Sequence, residues 1–338
     1  MNHYACPLCL CLKWPAPVPR PGQVLVRVTA AAVNNTDLWT REGAYGVPGQ
    51  PDALSGWRGP IAFPRVQGGD IARVVSAVGS GVPAELLGRR VLVDPAIYLD
   101  QGERSPPVGL LGSEADGGFA EYVAVPATQA HDVADSPLSD VQLACLPVAY
   151  GTATGMLERA GLGAGATMLV TGASGGVGLA LVQLAAARGA EVVALTSGSK
   201  AEEIRVAGAN HVVLRDAGDL AGQISALAPD GLDAVADVVG GPWIERLMPL
   251  LRDGGCWVIA GAVAGPVVPF DLRRLYLHNL RLIGSSTHTR EHFAKPVAIA
   301  RTGAISPRVA GRFPLDAMHQ AQDQFREGAH VGKIVVIP

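Results

Sequence analysis

The sequence predicts an α/β protein: a β-rich domain followed by a doubly wound parallel-sheet domain. Three observations lead there. The chain has 338 residues, more than one ordinary core holds, so two domains are expected. Its first 125 residues read as Val- and Ala-rich strands separated by long Gly- and Pro-rich excursions. Its middle alternates short apolar runs with helical patterns, the rhythm of a parallel sheet with right-handed crossovers. Composition agrees: 49% of residues are hydrophobic, 17% are charged, and Gly occurs 42 times. Such a chain buries a large core and does not read as disordered.

Taken in order, strands are expected at 22–33, 66–78 and 88–95. Excursions are expected at 43–64 and 100–118. The middle then reads strand 168–172, helix 176–189 ending at Gly189, strand 191–196, helix 200–208 and strand 211–214. A helix over "GDLAGQISALAP", a strand over "LDAVADVVG", a helix over "WIERLMPLLRDGG" and a strand over "CWVIAG" follow. Beyond 265 the alternation weakens into a strand at 280–287, a helix at "REHFAKPVAIARTG" interrupted by Pro296, a helix at 314–328 and a final strand "GKIVVIP". The domains are set at 1–125 and 126–264, with 265–338 returning to complete the sheet and the first domain.

Several function classes fall away. A net charge of −3 without a basic run gives no footprint for nucleic acid or an anionic membrane. No uninterrupted apolar stretch of about 18 residues suggests a membrane span. Five cysteines, an odd number without a secretory leader, point to a reducing, cytoplasmic setting. "CPLCLC" (6–11) offers three sulfurs, but no fourth ligand is near, so no metal site is expected there. The histidines, His131 and His211 among them, show no ligand spacing.

"LVTGASGGVGLALV" is the most informative stretch. Ala173-Ser174-Gly175-Gly176-Val177-Gly178 is an A-x-G-x-x-G variant of the dinucleotide fingerprint. It follows a strand, opens a helix and begins a β–α series, the context such a loop requires. Its glycines let the backbone approach a pyrophosphate, and the helix start directs free amides at that anion. The second strand ends "ALTSGSK", with no acid to hold a ribose 2′-hydroxyl. Thr196, Ser197, Ser199 and Lys200 stand there instead and suit a 2′-phosphate, so NADPH is the expected cofactor.

Six stretches then carry a resemblance over essentially the whole chain: "PGQVLVRVTAAAVNNTD", "VQGGDIARVVSAVGSGV", "GGFAEYVAVP", "LVTGASGGVG", "KAEEIRVAGANHV" and "HVGKIVVIP". They resemble the medium-chain dehydrogenase/reductases, whose architecture is a GroES-like catalytic domain, a Rossmann domain and a short return. Zinc alcohol dehydrogenases of that family have Cys at the position of Asn34 and Gly-His-Glu where this chain reads Gly68-Gly69-Asp70. Residues 85–110 also lack the cysteines of a structural-zinc lobe. The chain is therefore similar to the zinc-independent quinone oxidoreductase and enoyl reductase branch, with Asn34, Asp37, Arg41, Gly43 and Tyr45 matching its Asn-x-x-Asp and Arg-x-Gly-x-Tyr pattern. No metal is expected.

The resemblance implies the remaining site residues. Asn34, at the end of the first strand, would face the nicotinamide or a substrate carbonyl at the cleft between the domains, or else act only as a helix cap. Asp37 would cap the following helix and pair with Arg41. Tyr45 is either a proton donor or a substrate contact, with water delivering the proton. Thr152, Gly240, Ala260, Gly261, Ser285 and Lys333 would line the cofactor, and Arg215 would stack on its adenine. The family has Gly where Arg73 stands, and 280–287 resembles its dimer-forming edge, so a homodimer is expected.

Without a Lewis acid, hydride transfer favours a substrate that can spread the developing charge. The reading is an NADPH-dependent reductase of a quinone or α,β-unsaturated carbonyl. An alcohol dehydrogenase-like carbonyl reductase and a non-catalytic NADPH-binding protein are the alternatives.

Overall fold

In the computed structural model, residues 11–47 and 55–338 are described. The chain divides into two compact units, residues 1–148 with 289–338, and residues 149–288.

The first unit is organised by one long strand, Gln23–Ala32. Its alternate residues Val24, Val26 and Val28 are buried, as a half-buried strand requires. It pairs antiparallel with Ala72–Val78, with Tyr122–Pro126 and, at its far end, with the last strand, Lys333–Ile337. Val309–Pro314 lies parallel to that last strand, and Arg90–Val93 and Ala130–Asp132 extend the other side. The terminal pairing sets Ala31 opposite Val336 and Ala32 opposite Val335. The Val33 amide donates to the Ile334 carbonyl at 2.9 Å. The same register therefore places Asn34 opposite Lys333.

Two expectations are corrected in this unit. The strand sought over 66–78 begins only at Ala72, because residues 66–71 are used in loop contacts. The helix over 290–302 runs unbroken through Pro296. It is capped by Thr289, whose hydroxyl accepts the His292 amide at 3.3 Å, and it closes on Gly303 at φ +64°. Arg73, where the family has Gly, adopts φ +155°. Its guanidinium pairs with Asp140 at 3.1 Å. The "CPLCLC" cysteines fall largely outside the described residues; Cys11 is exposed.

The second unit is a six-stranded parallel sheet. Its order is His211–Leu214, Glu191–Thr196, Thr167–Val170, Leu232–Asp237, Leu251–Ile259 and Arg281–Gly284. In sequence terms this is 3-2-1-4-5-6, the doubly wound order in which ligands bind beyond the carboxyl ends of the strands at the central reversal. Helix Gly176–Ala187 follows the central strand. The expected helix from Trp243 is short, Trp243–Leu247, and passes through a 3-10 turn, Met248–Leu250, into a strand starting at Leu251. Pro249 lacks the amide that would continue the helix. Among the described residues, no helix is long and apolar enough to cross a membrane.

Candidate functional site

The fingerprint loop joins the first sheet strand of the second unit to its helix. Gly172 sits at φ +56°, and the Gly175 amide closes the turn on the Gly172 carbonyl at 3.0 Å. A Cβ on Gly178 would lie 2.1 Å from the Gly172 carbonyl oxygen, so only glycine lets the helix start this close to the strand. Ser174 stands at the turn, and the Lys200 ammonium donates to its hydroxyl at 3.3 Å. Burial, then the Arg215 cation, hold the Lys200 pKa below its usual value, with Glu203 acting the other way. The Arg215 amide bonds to the Thr196 carbonyl at 2.9 Å. The Thr196 hydroxyl is buried without a hydrogen-bond partner. Ser197 and Ser199 face each other at 3.5 Å.

One support of this site lay beyond the sequence reading. Asp237, fully buried at the end of the fourth strand, accepts from the Thr171 hydroxyl at 2.6 Å and the Val239 and Gly240 amides at 2.9 and 3.1 Å. It shapes the turn that carries Gly240. Gly261 passes so close to it that a Cβ would meet the Val238 carbonyl at 2.5 Å. Ala260 donates its amide to the Asp237 carbonyl at 2.9 Å. Thr152 is buried on helix Pro147–Ala160. Ser285 accepts from Arg159 at 2.8 Å, and the same guanidinium nitrogen reaches the Thr287 carbonyl at 2.7 Å. Thr287 is a β-branched residue at φ +76°, a strained geometry of the kind that clusters at functional sites. A Cβ on Gly151 would lie 2.3 Å from a ring nitrogen of His288, which explains that glycine. Asp237 and Thr287 carry no short motif; a turn acid after an apolar strand was the one available signal.

These residues fit a nicotinamide dinucleotide. The loop is a cradle that a Cβ would fill, a buried hydroxyl lacks a partner, and two cations converge at the end of the second and third strands.

The second cluster lies in the first unit. Asn34 begins helix Asn35–Glu42. Its backbone amide donates to the Asp37 carboxylate at 2.8 Å. Its side-chain amide donates to the Ala32 carbonyl at 3.1 Å and to Asp70 at 2.8 Å. The Lys333 ammonium donates to the Asn34 side-chain oxygen, to the Val33 carbonyl at 2.9 Å, and pairs with Asp70 at 3.0 Å. Asp70 also accepts the Val148 amide at 2.7 Å, at the start of a helix. Gln67 donates to the Asp37 carbonyl at 2.6 Å.

Burial pushes the Asp37 carboxyl up to about 7, and Asp70 adds to it; the Asn34 amide and Lys333 act the other way. Nearby Cys145 is pushed up to about 12 by burial, and its thiol donates to the Val141 carbonyl at 3.2 Å. Tyr45 donates its phenol to the Thr36 hydroxyl at 2.6 Å and packs edge-on against Trp39 at 5.3 Å. Burial raises its pKa, so it stays protonated.

Three expectations change here. The Asn34 amide hydrogens are taken by protein acceptors, because Asp70 and Ala32 are within reach and buried polar groups seek partners. Lys333 ends on Asn34 and Asp70. Arg41 bonds Gln322 instead of Asp37, whose carboxylate is drawn back to the Asn34 amide.

The donor set does not fit a tetrahedral zinc. Position 34 offers a committed amide and position 69 no side chain, and an ammonium contacts both Asn34 and Asp70. Among the described residues, no group of three or more His, Cys, Asp or Glu side chains is arranged to hold a metal ion.

Residues 20–135 match the family described as "Alcohol dehydrogenase GroES-like domain", and residues 176–301 the one described as "Zinc-binding dehydrogenase". An acryloyl-coenzyme A reductase of Metallosphaera sedula is 30% identical over 331 residues, covering 95% of this chain and 93% of the relative. A quinone oxidoreductase of Rattus norvegicus is 27% identical, covering 95% and 91%. A solved structure of a putative alcohol dehydrogenase from Sinorhizobium meliloti is 46% identical, with a TM-score of 0.92, covering 96% and 91%. The chain belongs to the medium-chain dehydrogenase/reductase family, whose members are oxidoreductases that bind a nicotinamide cofactor.

Proposed function

We propose that the protein is an NADPH-dependent, zinc-independent reductase of an α,β-unsaturated carbonyl or a quinone. The observation that carries the cofactor choice is the Lys200–Arg215 pair beside Ser174, at a strand end with no acid. A 2′-phosphate would relieve the repulsion between these cations, whereas a bare hydroxyl would not. Ser174, Gly175, Gly176, Val177 and Gly178 hold the pyrophosphate, and Thr152, Gly240, Ala260, Gly261 and Ser285 line the rest of the cofactor.

Bound, the reduced nicotinamide supplies a hydride. The chain's own residues orient the substrate and meet the charge that develops on its carbonyl oxygen. Tyr45 is the proposed donor for this charge: burial keeps its phenol protonated, and its single hydroxyl hydrogen, held by Thr36 in the structure, turns from Thr36 to the substrate oxygen. Asn34 caps helix Asn35–Glu42, which leads to Tyr45. A preorganised donor of this kind contributes roughly 10²–10³ in rate. A conjugated substrate suits such a site because its charge is spread as an enolate. The names of the M. sedula and rat relatives support this substrate class. The name of the S. meliloti structure supports a second reading, reduction of a simple carbonyl. We further propose a homodimer in the cytoplasm; light scattering at the mass of one chain would overturn the dimer.

The test follows reduced-cofactor absorbance with a quinone, a simple enone and a simple ketone, with and without a chelator. Chelator-resistant enone or quinone reduction is expected, at least about tenfold faster with NADPH than NADH, with Lys200→Ala closing most of that gap. Equal rates with both cofactors, or loss of activity with chelator, would sink the reading. Activity confined to the ketone would favour the second.

A further inference from the structure

The Lys333 ammonium is almost completely buried, at 4% exposure, and Asp70 is sealed at 0%. A buried ion is tolerated only when its charge is paired and its hydrogen bonds are satisfied. An ammonium has three donors, and Lys333 has three acceptors: Val33, Asn34 and Asp70. Asp70 is equally well supplied, by Lys333, Asn34 and Val148. The Asn34 amide touches both the cation and the carboxylate, which also pair directly. Its oxygen faces the one and its nitrogen the other, so reversing it would place like partners together. Asp37 is the remaining acid facing this corner, and Cys145 a neutral thiol beside it.

One of the two family descriptions that match this chain is a zinc-binding dehydrogenase, yet the residues here do not fit zinc. A Cβ on Gly69 would already lie 3.1 Å from Val148. The positive charge at this corner arrives on the last strand instead, set opposite Asn34 by the antiparallel register.

We propose that Lys333 is a built-in cation: a positioning residue whose ammonium fixes the Asn34 amide and Asp70 where an exchangeable metal would otherwise be needed. Its kinetic arm rests on the proposed reductase reading; its binding arm does not.

The experiment uses the full chain and three proteins: wild type, Lys333→Ala and Asp70→Asn/Lys333→Met. Thermal unfolding is recorded with methylammonium, with tetramethylammonium and with sodium at equal ionic strength. Enone reduction is measured in parallel, with separate KM values for cofactor and enone. In Lys333→Ala the socket is vacated. Methylammonium, but neither of the other cations, is expected to raise its melting temperature and to leave wild type unchanged. The variant's kcat is expected to fall roughly 10²-fold, with the cofactor KM within about twofold and about tenfold of the kcat restored by methylammonium. The double variant removes both charges together, so it folds, binds cofactor normally and stays slow with or without methylammonium.

No selective effect of methylammonium on melting overturns the socket. Unchanged kcat in either variant, or a cofactor KM raised in step with kept kcat, overturns the positioning role. If Lys333→Ala does not fold, the double variant decides. Wild type inert toward every enone and quinone would sink the reductase reading instead, while the melting arm still decides the socket.

Discussion

The fingerprint loop and the Asn34 corner solve the problem of holding a charged group in opposite ways. The loop is backbone: Gly172 to Gly178 are contiguous, and the closest contact is Gly178 against the Gly172 carbonyl. It presents amides to an anion that arrives from outside. The corner is side chain: Asn34, Asp37, Asp70 and Lys333 come from three distant stretches, and the cation is part of the chain. The difference teaches that a site for a mobile ligand is left with partners to spare, such as the unpaired Thr196 hydroxyl. A site that replaces a ligand is closed on itself.

The comparison breaks most visibly at Asp70. Asp70→Asn leaves the Lys333 ammonium buried without its counter-charge, which is expected to cost roughly 3–5 kcal/mol in chemical denaturation. A loss below about 1 kcal/mol would mean that the corner is not held by charge.

Next in size is Gly178→Ala. The added methyl strikes backbone 2.1 Å away, so the helix start must shift. A loss of about 1–3 kcal/mol is expected, with NADPH affinity, read by nucleotide fluorescence, down at least about tenfold. Normal affinity would show that the close approach is not what the cofactor needs.

Asp37 sharpens the comparison through pH. Its folded-state pKa, about 7, lies above the usual 3.8, so the folded state binds the proton more tightly than the unfolded state. The stability this contributes is full below about pH 4 and is lost as pH rises through about 7. The difference of about three tenfold steps in proton affinity corresponds to about 4 kcal/mol. Asn loses part of the carboxylate's hydrogen bonding, so Asp37→Asn is expected to flatten that slope and to exceed wild type at pH 8 by roughly 2 kcal/mol. Parallel curves for the two proteins from pH 5 to 8 would refute it.

The smallest effect is at Thr287. Thr287→Gly relieves the strain of φ +76° and adds unfolded-state entropy, for a net gain of about 0.5 kcal/mol. A clear loss in melting temperature would show that its hydroxyl contact with His288, at 3.1 Å, outweighs the strain.

By itself the sequence determined the alternation of the second unit, the fingerprint loop and the acid-free strand end at 196–200. All of these are local: a strand, a turn and a helix start are adjacent in the chain, and their periods of 2 and 3.6 are written in order. Asn34 and Lys333 were each singled out, but for other partners. Their union required the register of the first and last strands, nearly 300 residues apart in sequence, and no local period encodes such a pairing. The helix through Pro296 was decided the same way, by packing of its buried face of Phe293, Pro296, Val297 and Ala300; the strand start at Leu251 has instead the local cause of Pro249. Tertiary structure alone brought an amide, a carboxylate and an ammonium within hydrogen-bonding distance. Once they were buried, the cost of leaving any of them unpaired selected this one arrangement.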